Sequence, residues 1–278
     1  MLVTILLRAP DPDASADRYE AAFDVLGSSS KAICVPVLET VLMNIEKLKQ
    51  TIVSGPNVDG VIITSARSCE AWKVSVAQCP DKQTVIDSWS NIPFYVVGAA
   101  TASSLRELCP NPNQIRGEHS GTAEKLARFI LDEMEGTPTK RFLYLVGDKN
   151  RDTLPKIMDE KHVQLVPLQV YETRGSSKFS VDLNQALEGY ERNNDFWVVF
   201  FAPSAAEYVF PYLRTHFCFR TSSDPNLSSD DRPLVRTAAI GPTTASFLRD
   251  TLHLHVDTIS AKPNPEALVE AIRECVPV

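Results

Sequence analysis

Short apolar runs alternate with amphipathic stretches along the whole chain. Between the apolar runs, hydrophobic residues recur at helical spacing, as in Leu126, Ile130 and Met134. This alternation predicts parallel sheets covered by helices. The runs are short and mostly apolar, as expected for strands buried on both faces: Val3–Leu7, Ile33–Val37, Val61–Thr64, Phe94–Val97, Phe142–Val146, Leu165–Val170, Phe196–Phe201 and Thr237–Ile240.

The order of strand, turn and helix occurs twice. The segments DGVIITSARSCEAWK and IPFYVVGAATASSLREL correspond to NDFWVVFFAPSAAEYVFPYL and VRTAAIGPTTASFL further along the chain. LVTILLRAP and AICVPVLET correspond to RFLYLVGDKN and QLVPLQVYETR, and SGTAEKLARFIL corresponds to KPNPEALVEAIREC. Such a repeat predicts two similar lobes that face a common space, where the function should be sought.

Composition narrows the class of protein. The 278 residues are 44% hydrophobic and 23% charged, which is typical of a soluble globular protein. This length allows one large domain or two of ordinary size, and the repeat favours two. A net charge of −7 argues against nucleic-acid binding, and the apolar run LVTILL is too short to span a membrane. Six scattered cysteines without a CxxC pair favour reduced thiols in the cytoplasm. The polar stretch Arg220–Pro233 is predicted to be a surface insertion without chemistry.

The turns after the predicted strands are candidate binding positions, because open parallel sheets bind ligands beyond the carboxyl ends of their strands. Backbone N–H groups at the helix starts there can bind carboxylate or phosphate without Lys or Arg. An ordinary N-cap is the alternative for each Ser or Thr. The turns are Thr64-Ser65, Gly98 to Thr101, Gly147-Asp148, Pro203-Ser204 and Gly241 to Thr244.

Several familiar motifs are absent from the sequence. It contains no GxGxxG, GxxxxGK[ST], HExxH or GxSxG, so dinucleotide, nucleotide, zinc-protease and serine-hydrolase chemistry lack their usual signatures. His253 and His255 in HLHVD would share one face of a strand, but no complete ligand set accompanies them. We therefore expect neither a metal site nor a cofactor.

A family resemblance rests on seven segments taken in order. They are VIITSARSCEAW, FYVVGAATASSL, SGTAEKLARFI, LVGDKNRDTLPKIM, VYETR, VVFFAPSAAEYV and AAIGPTTASFL. The ordered set resembles the uroporphyrinogen-III synthases of tetrapyrrole biosynthesis from about Val3 to Arg273. The resemblance implies two flavodoxin-like parallel α/β domains joined by a two-stranded connection. Residues 1–35 and 174–278 would form one domain and residues 41–166 the other, with residues 36–40 and 167–173 as connecting strands.

The resemblance also implies an activity. Members of the family are lyases of heme biosynthesis that convert hydroxymethylbilane to uroporphyrinogen III, with loss of water and inversion of ring D. Tyr171 matches the tyrosine of the family's VYxT stretch and would assist departure of the hydroxyl group, whereas the alternative is a packing tyrosine. The enzyme would act as a cytoplasmic monomer.

The substrate carries many carboxylates, so the turns become its expected binding positions. Thr101, Ser204 and Thr244 match family positions for substrate binding, with Thr64, Ser65, Gly98, Gly241 and Thr243 behind them. Arg8 and Arg67 are the expected positive side chains, and for each the alternative is a surface arginine. Two other classes of function stay open at this stage: a non-catalytic two-lobed protein that binds or senses a small anion, and a transferase for a phosphate-bearing substrate.

Overall fold

The computed structural model describes residues 1–11, 16–106, 109, 111–134, 140–221 and 231–276. Contacts divide the chain into two compact units. Unit 1 comprises Met1–Glu39 and Arg174–Val278, and unit 2 comprises Thr40–Thr173. The chain thus passes twice between the units, and unit 2 is continuous in sequence whereas unit 1 is not.

The elements alternate as the apolar pattern predicts. The strands are β1 Leu2–Leu7, β2 Ser30–Cys34, β3 Leu38–Leu42, β4 Gly60–Ile63, β5 Phe94–Val96, β6 Ile115–Arg116, β7 Arg141–Gly147, β8 Gln164–Gly175, β9 Asp195–Phe200, β10 Cys218–Phe219, β11 Leu234–Ala239 and β12 Thr258–Ile259. The α-helices are α1 Arg18–Ala22, α2 Ile45–Val53, α3 Ala66–Ala77, α4 Lys82–Trp89, α5 Ala99–Arg106, α6 Ala123–Glu133, α7 Thr153–Asp159, α8 Phe179–Leu187, α9 Pro203–His216, α10 Pro242–Asp250 and α11 Pro265–Arg273.

Unit 1 has one parallel sheet in the order β2-β1-β9-β11. The short strands β10 and β12 both pair with β11, β10 near its start and β12 near its end. Alternate residues of the central strands face opposite sides of the sheet. Val198 and Phe200 belong to one buried cluster, while Trp197 and Val199 belong to another. Both faces are therefore covered, as a parallel sheet requires.

The sheet of unit 2 also has six strands, and five of them repeat this arrangement. Its sheet has the order β3-β8-β7-β4-β5-β6, and the pairs from β8 to β6 are parallel. Val61 and Ile63 of β4 pack in one buried cluster and Ile62 in the other. If β4, β5, β6, β7 and β8 are matched with β9, β11, β12, β1 and β2, both sheets have the same strand order. The repeat seen in the sequence is thus also a repeat of topology.

The predicted secondary structure needs three corrections. The strand predicted at Ile33–Val37 ends at Cys34, and the helix around Tyr19–Leu26 is α-helical only to Ala22 and then continues as a 3-10 helix. HLHVD is not a strand. His253 has φ of 55°, a left-handed conformation that breaks an extended chain, and Leu254 forms an isolated antiparallel bridge with Thr221.

The Arg220–Pro233 stretch falls mostly outside the described residues, since residues 222–230 are not among them. Its first residue is anchored, because Arg220 donates to Asp257 Oδ1 at 3.0 Å. Across the part of the chain that the structure covers, no helix has the length and apolar composition needed to cross a bilayer.

Candidate functional site

The carboxyl edge of the unit 2 sheet brings together several predicted site residues. Ile63 of β4 is in register with Val96 of β5 and with Leu145 of β7. The turns that follow these strands therefore begin at one edge. They contribute Thr64, Ser65, Arg67, Gly98 and Gly147, and Tyr171 of β8 is paired with Gly147.

Tyr171 lies directly against the backbone of Gly147. A Cβ atom placed on Gly147 would lie only 2.7 Å from the Tyr171 hydroxyl oxygen, so the phenol ring occupies the space that a side chain would need. Among the described residues, none forms a hydrogen bond with the Tyr171 hydroxyl. Tyr171 itself is partly exposed. The glycine therefore holds a phenol at the strand ends with its hydroxyl group free.

Arg67 is next to this tyrosine. Its guanidinium carbon is 5.7 Å from the centroid of the Tyr171 ring, and its Nη1 donates to Thr173 Oγ1 at 3.3 Å. Within the described part of the chain, no carboxylate lies within ion-pair distance of Arg67. The side chain is exposed, so a cation whose partners are all neutral stands beside a free phenol.

Ser65 is the N-cap of α3. Its Oγ accepts a hydrogen bond from the Ser68 backbone N–H at 3.2 Å, and the two serine hydroxyls are 3.1 Å apart. Behind them the Tyr144 hydroxyl donates to Asn150 Oδ1 at 3.0 Å, and burial raises the pKa of Tyr144. Thr64 is half-buried beside this group. For Ser65, the capping alternative is what the structure shows, although this leaves its other lone pair open.

In unit 1, Arg8 follows β1 and is enclosed by acidic partners. Nη1 donates to Asp17 Oδ2 at 2.5 Å and Nη2 to Asp11 Oδ1 at 2.8 Å. The guanidinium also lies 4.8 Å from the centroid of the Tyr19 ring. The Arg8 side chain is 14% exposed and that of Asp17 is 2% exposed. The charge of Arg8 is thus already compensated inside its own unit.

The pairing of Arg8 with Asp17 shifts the pKa values of both side chains. Burial opposes the charged form of Arg8, but its hydrogen bond to Asp17 and the nearby carboxylates raise its pKa above the ordinary value. Burial also opposes the charged form of Asp17. Hydrogen bonds from Arg8 and from three backbone N–H groups nonetheless lower the Asp17 pKa from 3.8 to about 2. The pair is therefore ionised at neutral pH.

Two helices of unit 1 start at the same sheet edge without a capping side chain. Ala202 precedes α9 and Gly241 precedes α10, and among the described residues neither helix start receives a side-chain cap. Each helix begins with proline, which has no N–H group to satisfy. The N–H groups that follow remain available to an anion.

The Ser and Thr residues predicted to bind substrate differ in how exposed their side chains are to solvent. Ser204 and Thr243 are exposed in the first turns of α9 and α10. Thr101 and Thr244, which occupy matching positions in the two copies of the repeat, are only 7% and 4% exposed. Their side chains are therefore packed within their units, and any contact with a ligand would come mainly from their backbone.

No arrangement for a metal emerges from the part of the chain that the structure describes. No group of three or more His, Cys, Asp or Glu residues there could hold an ion. His255 Nε2 lies 3.9 Å from Asp257 Oδ1, and Asp257 also accepts from Arg220. Asp257 is thus occupied by structural contacts.

Sequence reasoning missed the partners that decide the state of each candidate cation. Asp11 and Asp17 stand in a polar stretch without periodicity, so nothing in the pattern links them to Arg8. Gly147 was recognised only as a turn residue. The signal that could have indicated its role is the lack of a side chain at a strand end, which leaves the space that the Tyr171 ring fills.

The chain is similar to one protein family, to a characterised relative and to several solved structures. The family described as "Uroporphyrinogen-III synthase HemD" matches residues 17–270. A uroporphyrinogen-III synthase of Saccharomyces cerevisiae is 28% identical over 265 residues, which are 92% of this chain and 90% of the relative. Uroporphyrinogen III synthase structures from Thermus thermophilus and Helicobacter pylori each share 17% identity and cover 99% of this chain. The matched regions are 98% of the Thermus thermophilus protein and 100% of the Helicobacter pylori protein, with TM-scores of 0.43 and 0.47. On the family match, which spans most of the chain, this protein belongs to the uroporphyrinogen-III synthase family.

Proposed function

We propose that the chain converts hydroxymethylbilane to uroporphyrinogen III, with loss of water and inversion of ring D. One observation carries this function: the family match extends from residue 17 to residue 270 and so includes both units. The yeast relative, matched over nearly its whole length, carries the same activity in its name. The activity makes the protein a lyase of heme biosynthesis, and a non-catalytic anion-binding protein is not favoured.

For substrate binding, we assign different tasks to the two sheet edges. In unit 1 the uncapped starts of α9 and α10, with Ser204, Gly241, Thr243 and Thr244, would bind substrate carboxylates through backbone N–H groups and exposed hydroxyls. In unit 2 the corresponding residues are Thr64, Ser65, Gly98 and Thr101, together with Arg67. An exposed guanidinium with neutral partners is suited to a bidentate contact with a carboxylate. Arg8 would instead organise its own loop.

Tyr171 is proposed as the residue that assists departure of the hydroxyl group. Its support is the free hydroxyl and the fixed ring against Gly147. A phenol is a weak acid at neutral pH, so a hydrogen bond to the departing hydroxyl is a better role than full proton transfer. The pyrrole nitrogen of the substrate would supply the electrons that expel the hydroxyl. The protein then mainly positions the chain for the inverted ring closure.

The decisive experiment uses freshly generated hydroxymethylbilane. The protein is incubated with it, the products are oxidised, and the porphyrin isomers are separated by chromatography. We expect isomer III in excess of the isomer I that forms spontaneously. Isomer I alone, at the rate seen without protein, would overturn the proposed function.

The domain limits, oligomeric state and compartment are also proposals. We propose domains at residues 1–35 with 174–278 and at residues 41–166, with 36–40 and 167–173 as connecting strands. We propose that the protein works as a monomer in the cytoplasm. The compartment is supported by the cysteines, since none of the six forms a disulfide among the described residues. Light scattering during size-exclusion chromatography tests the monomer, and a doubled mass would contradict it.

A further inference from the structure

Unit 2 contains a cavity at the sheet edge opposite the one that holds Tyr171. It has a volume of about 210 Å³ and lies beside the end of α2, the start of β7 and the first half of β8. Parallel sheets usually bind their ligands at the carboxyl edge. A cavity at the amino edge is therefore separate from the proposed substrate site within this unit.

Two cations line this cavity without acidic partners. They are Arg141 and Lys47. Within the described residues, neither side chain has an ion pair, and Arg141 Nε is a buried donor without a hydrogen-bond partner. A buried donor left unsatisfied costs about 1–3 kcal/mol, which an anionic ligand at the guanidinium would help to recover. The backbone N–H of Arg141 is already used, since it donates to Asp59 Oδ2 at 2.8 Å.

The C-terminal end of α2 opposes an anion but does not dominate. The unpaired carbonyl groups at a helix C-terminus together act as roughly half a negative elementary charge, which repels an anion. The Gln50 carbonyl accepts hydrogen bonds from Ser54, and the Ile52 carbonyl accepts from Gly55 and from Trp89 Nε1. These carbonyls are therefore engaged within the protein. Even with Asp59 nearby, two full positive charges leave the cavity positive on balance.

The other half of the lining is apolar. It includes Trp89, Leu143, Pro167 and Leu168. The Trp89 ring is 3% exposed and is fixed by its hydrogen bond to Ile52 and by an edge contact with Trp72, with centroids 5.1 Å apart. A rigid aromatic ring and a guanidinium in the lining of one cavity suit a flat apolar ring that bears an anionic group. Inorganic anions would leave the apolar wall without a contact.

The volume limits the size of the ligand. Pockets for drug-sized molecules span roughly 300–1,000 Å³, so this cavity is too small for a tetrapyrrole and matches a single ring with one short substituent. We propose that unit 2 binds a monocyclic aromatic carboxylate in this cavity, with its carboxylate on Arg141 and Lys47 and its ring against Trp89. This site is independent of the proposed synthase function.

The test uses benzoate as the probe and benzyl alcohol as its neutral match, with binding to the full chain measured by isothermal titration calorimetry. We expect benzoate to bind saturably at one site and benzyl alcohol to bind at least tenfold more weakly. A charge-assisted hydrogen bond contributes about 1.5–3 kcal/mol, so Arg141→Gln should weaken benzoate binding roughly tenfold or more. Equal affinities for benzoate and benzyl alcohol would overturn the proposal.

Matched variants locate the binding. Lys47→Gln changes an exposed side chain, cannot disturb the core and should also weaken benzoate binding. Arg67→Gln removes a cation from the proposed substrate site and should leave benzoate binding unchanged. Loss of benzoate binding in Arg67→Gln, or full binding in both Arg141→Gln and Lys47→Gln, would refute the assignment. If Arg141→Gln fails a thermal-melting check, Lys47→Gln alone decides.

Synthase activity separates this site from the proposed function. Arg141 and Lys47 belong to neither sheet edge proposed for the substrate, so we expect Lys47→Gln to form isomer III at the rate of the unaltered protein. Failure of benzoate to bind would thus remove the second site without affecting the synthase assignment. Absence of isomer III would remove that assignment and leave the benzoate result intact.

Discussion

The two units use the same pair of residue types in opposite ways. In unit 1, Arg8 is bound by Asp11 and Asp17, and Tyr208 lies against Gly175 with its hydroxyl donating to the Ser176 carbonyl at 3.1 Å. A Cβ atom on Gly175 would overlap the Tyr208 ring, just as one on Gly147 would overlap Tyr171.

In unit 2 Arg67 lies over the Tyr171 ring, and neither side chain has an acidic partner among the described residues. Arg67 has only neutral partners, and none of the described residues forms a hydrogen bond with the Tyr171 hydroxyl. A tyrosine packed on glycine is thus a structural device in unit 1 and a candidate reactive group in unit 2. What distinguishes them is whether the polar atoms are already satisfied, and this separates residues that hold the fold from residues that can meet a substrate.

The largest expected effect concerns the Arg8 pair. Arg8→Gln leaves the buried Asp17 carboxylate without its counterion, so we expect the free energy of unfolding to fall by about 3–5 kcal/mol. Urea denaturation followed by circular dichroism measures this change. Arg18→Gln is the control, because the Arg18 side chain is 68% exposed and its ion pair with Asp11 should contribute roughly 0–1 kcal/mol. A stable Arg8→Gln protein with impaired substrate use would instead make Arg8 a binding residue.

Arg67→Gln should have the opposite effects: it should leave stability unchanged and lower activity. Its side chain is exposed and supports no core contact, so stability should stay within about 0.5 kcal/mol. Loss of a charge-assisted contact with a substrate carboxylate, worth about 1.5–3 kcal/mol, should lower kcat/KM roughly 10–100-fold. Rates of uroporphyrinogen III formation over a range of substrate concentrations measure it. Unchanged kcat/KM would place Arg67 among ordinary surface residues.

The dependence of stability on acidic pH tests the Arg8–Asp17 pair of unit 1. The folded-state pKa of Asp17 is about 2, below its ordinary 3.8. A depressed carboxyl pKa stabilises the fold above the unfolded value, and this contribution is lost as the pH falls from about 4 to about 2. At about 1.4 kcal/mol per unit, the contribution is roughly 2 kcal/mol. We expect Asp17→Asn to flatten the decline in stability over this range, and an unchanged acid profile would contradict the pairing.

The smallest expected effect is that of Tyr171→Phe. Removal of one neutral hydrogen bond of about 0.5–1.5 kcal/mol should slow turnover by roughly 2–10-fold while the fold stays intact. Single-turnover formation of uroporphyrinogen III measures the chemical step. Tyr208→Phe is the matched control, since its hydroxyl is engaged by Ser176, and it should lower stability slightly without slowing turnover. Equal turnover for Tyr171→Phe and the unaltered protein would remove Tyr171 from the mechanism.

Much of the fold could be predicted because burial on both faces gives strands a continuous apolar signal. All eight predicted strands overlap observed ones, with limits that shift by a few residues. Strands β6, β10 and β12 were missed because each has only two residues, too few to show any pattern. The HLHVD prediction was wrong because alternation suggested extension where His253 adopts a left-handed conformation.

The candidate site was less predictable for a different reason. The turns after each strand follow from topology, so Ser65, Gly98 and Gly241 could be found from the pattern alone. Whether a side chain is free depends on partners distant in sequence, as with Ser68 donating to the Leu145 carbonyl at 3.3 Å. Thr101 and Thr244 appear equivalent to Ser204 in the sequence, yet their helix faces turn inward. Such pairings and orientations cannot be recognised from the periodicity of hydrophobic residues in the sequence.

The interrupted sequence of unit 1 has a consequence for synthesis on the ribosome. β1 is paired along all six of its residues with β9, from Leu2 opposite Asp195 to Leu7 opposite Phe200. Unit 2 is complete in the nascent chain once Thr173 has emerged, whereas β1 must wait for β9. Since domains generally fold as units during translation, we expect unit 2 to fold first. During that interval the apolar strand β1 lacks its β9 partner, so we expect the nascent chain to be most prone to aggregation at this stage.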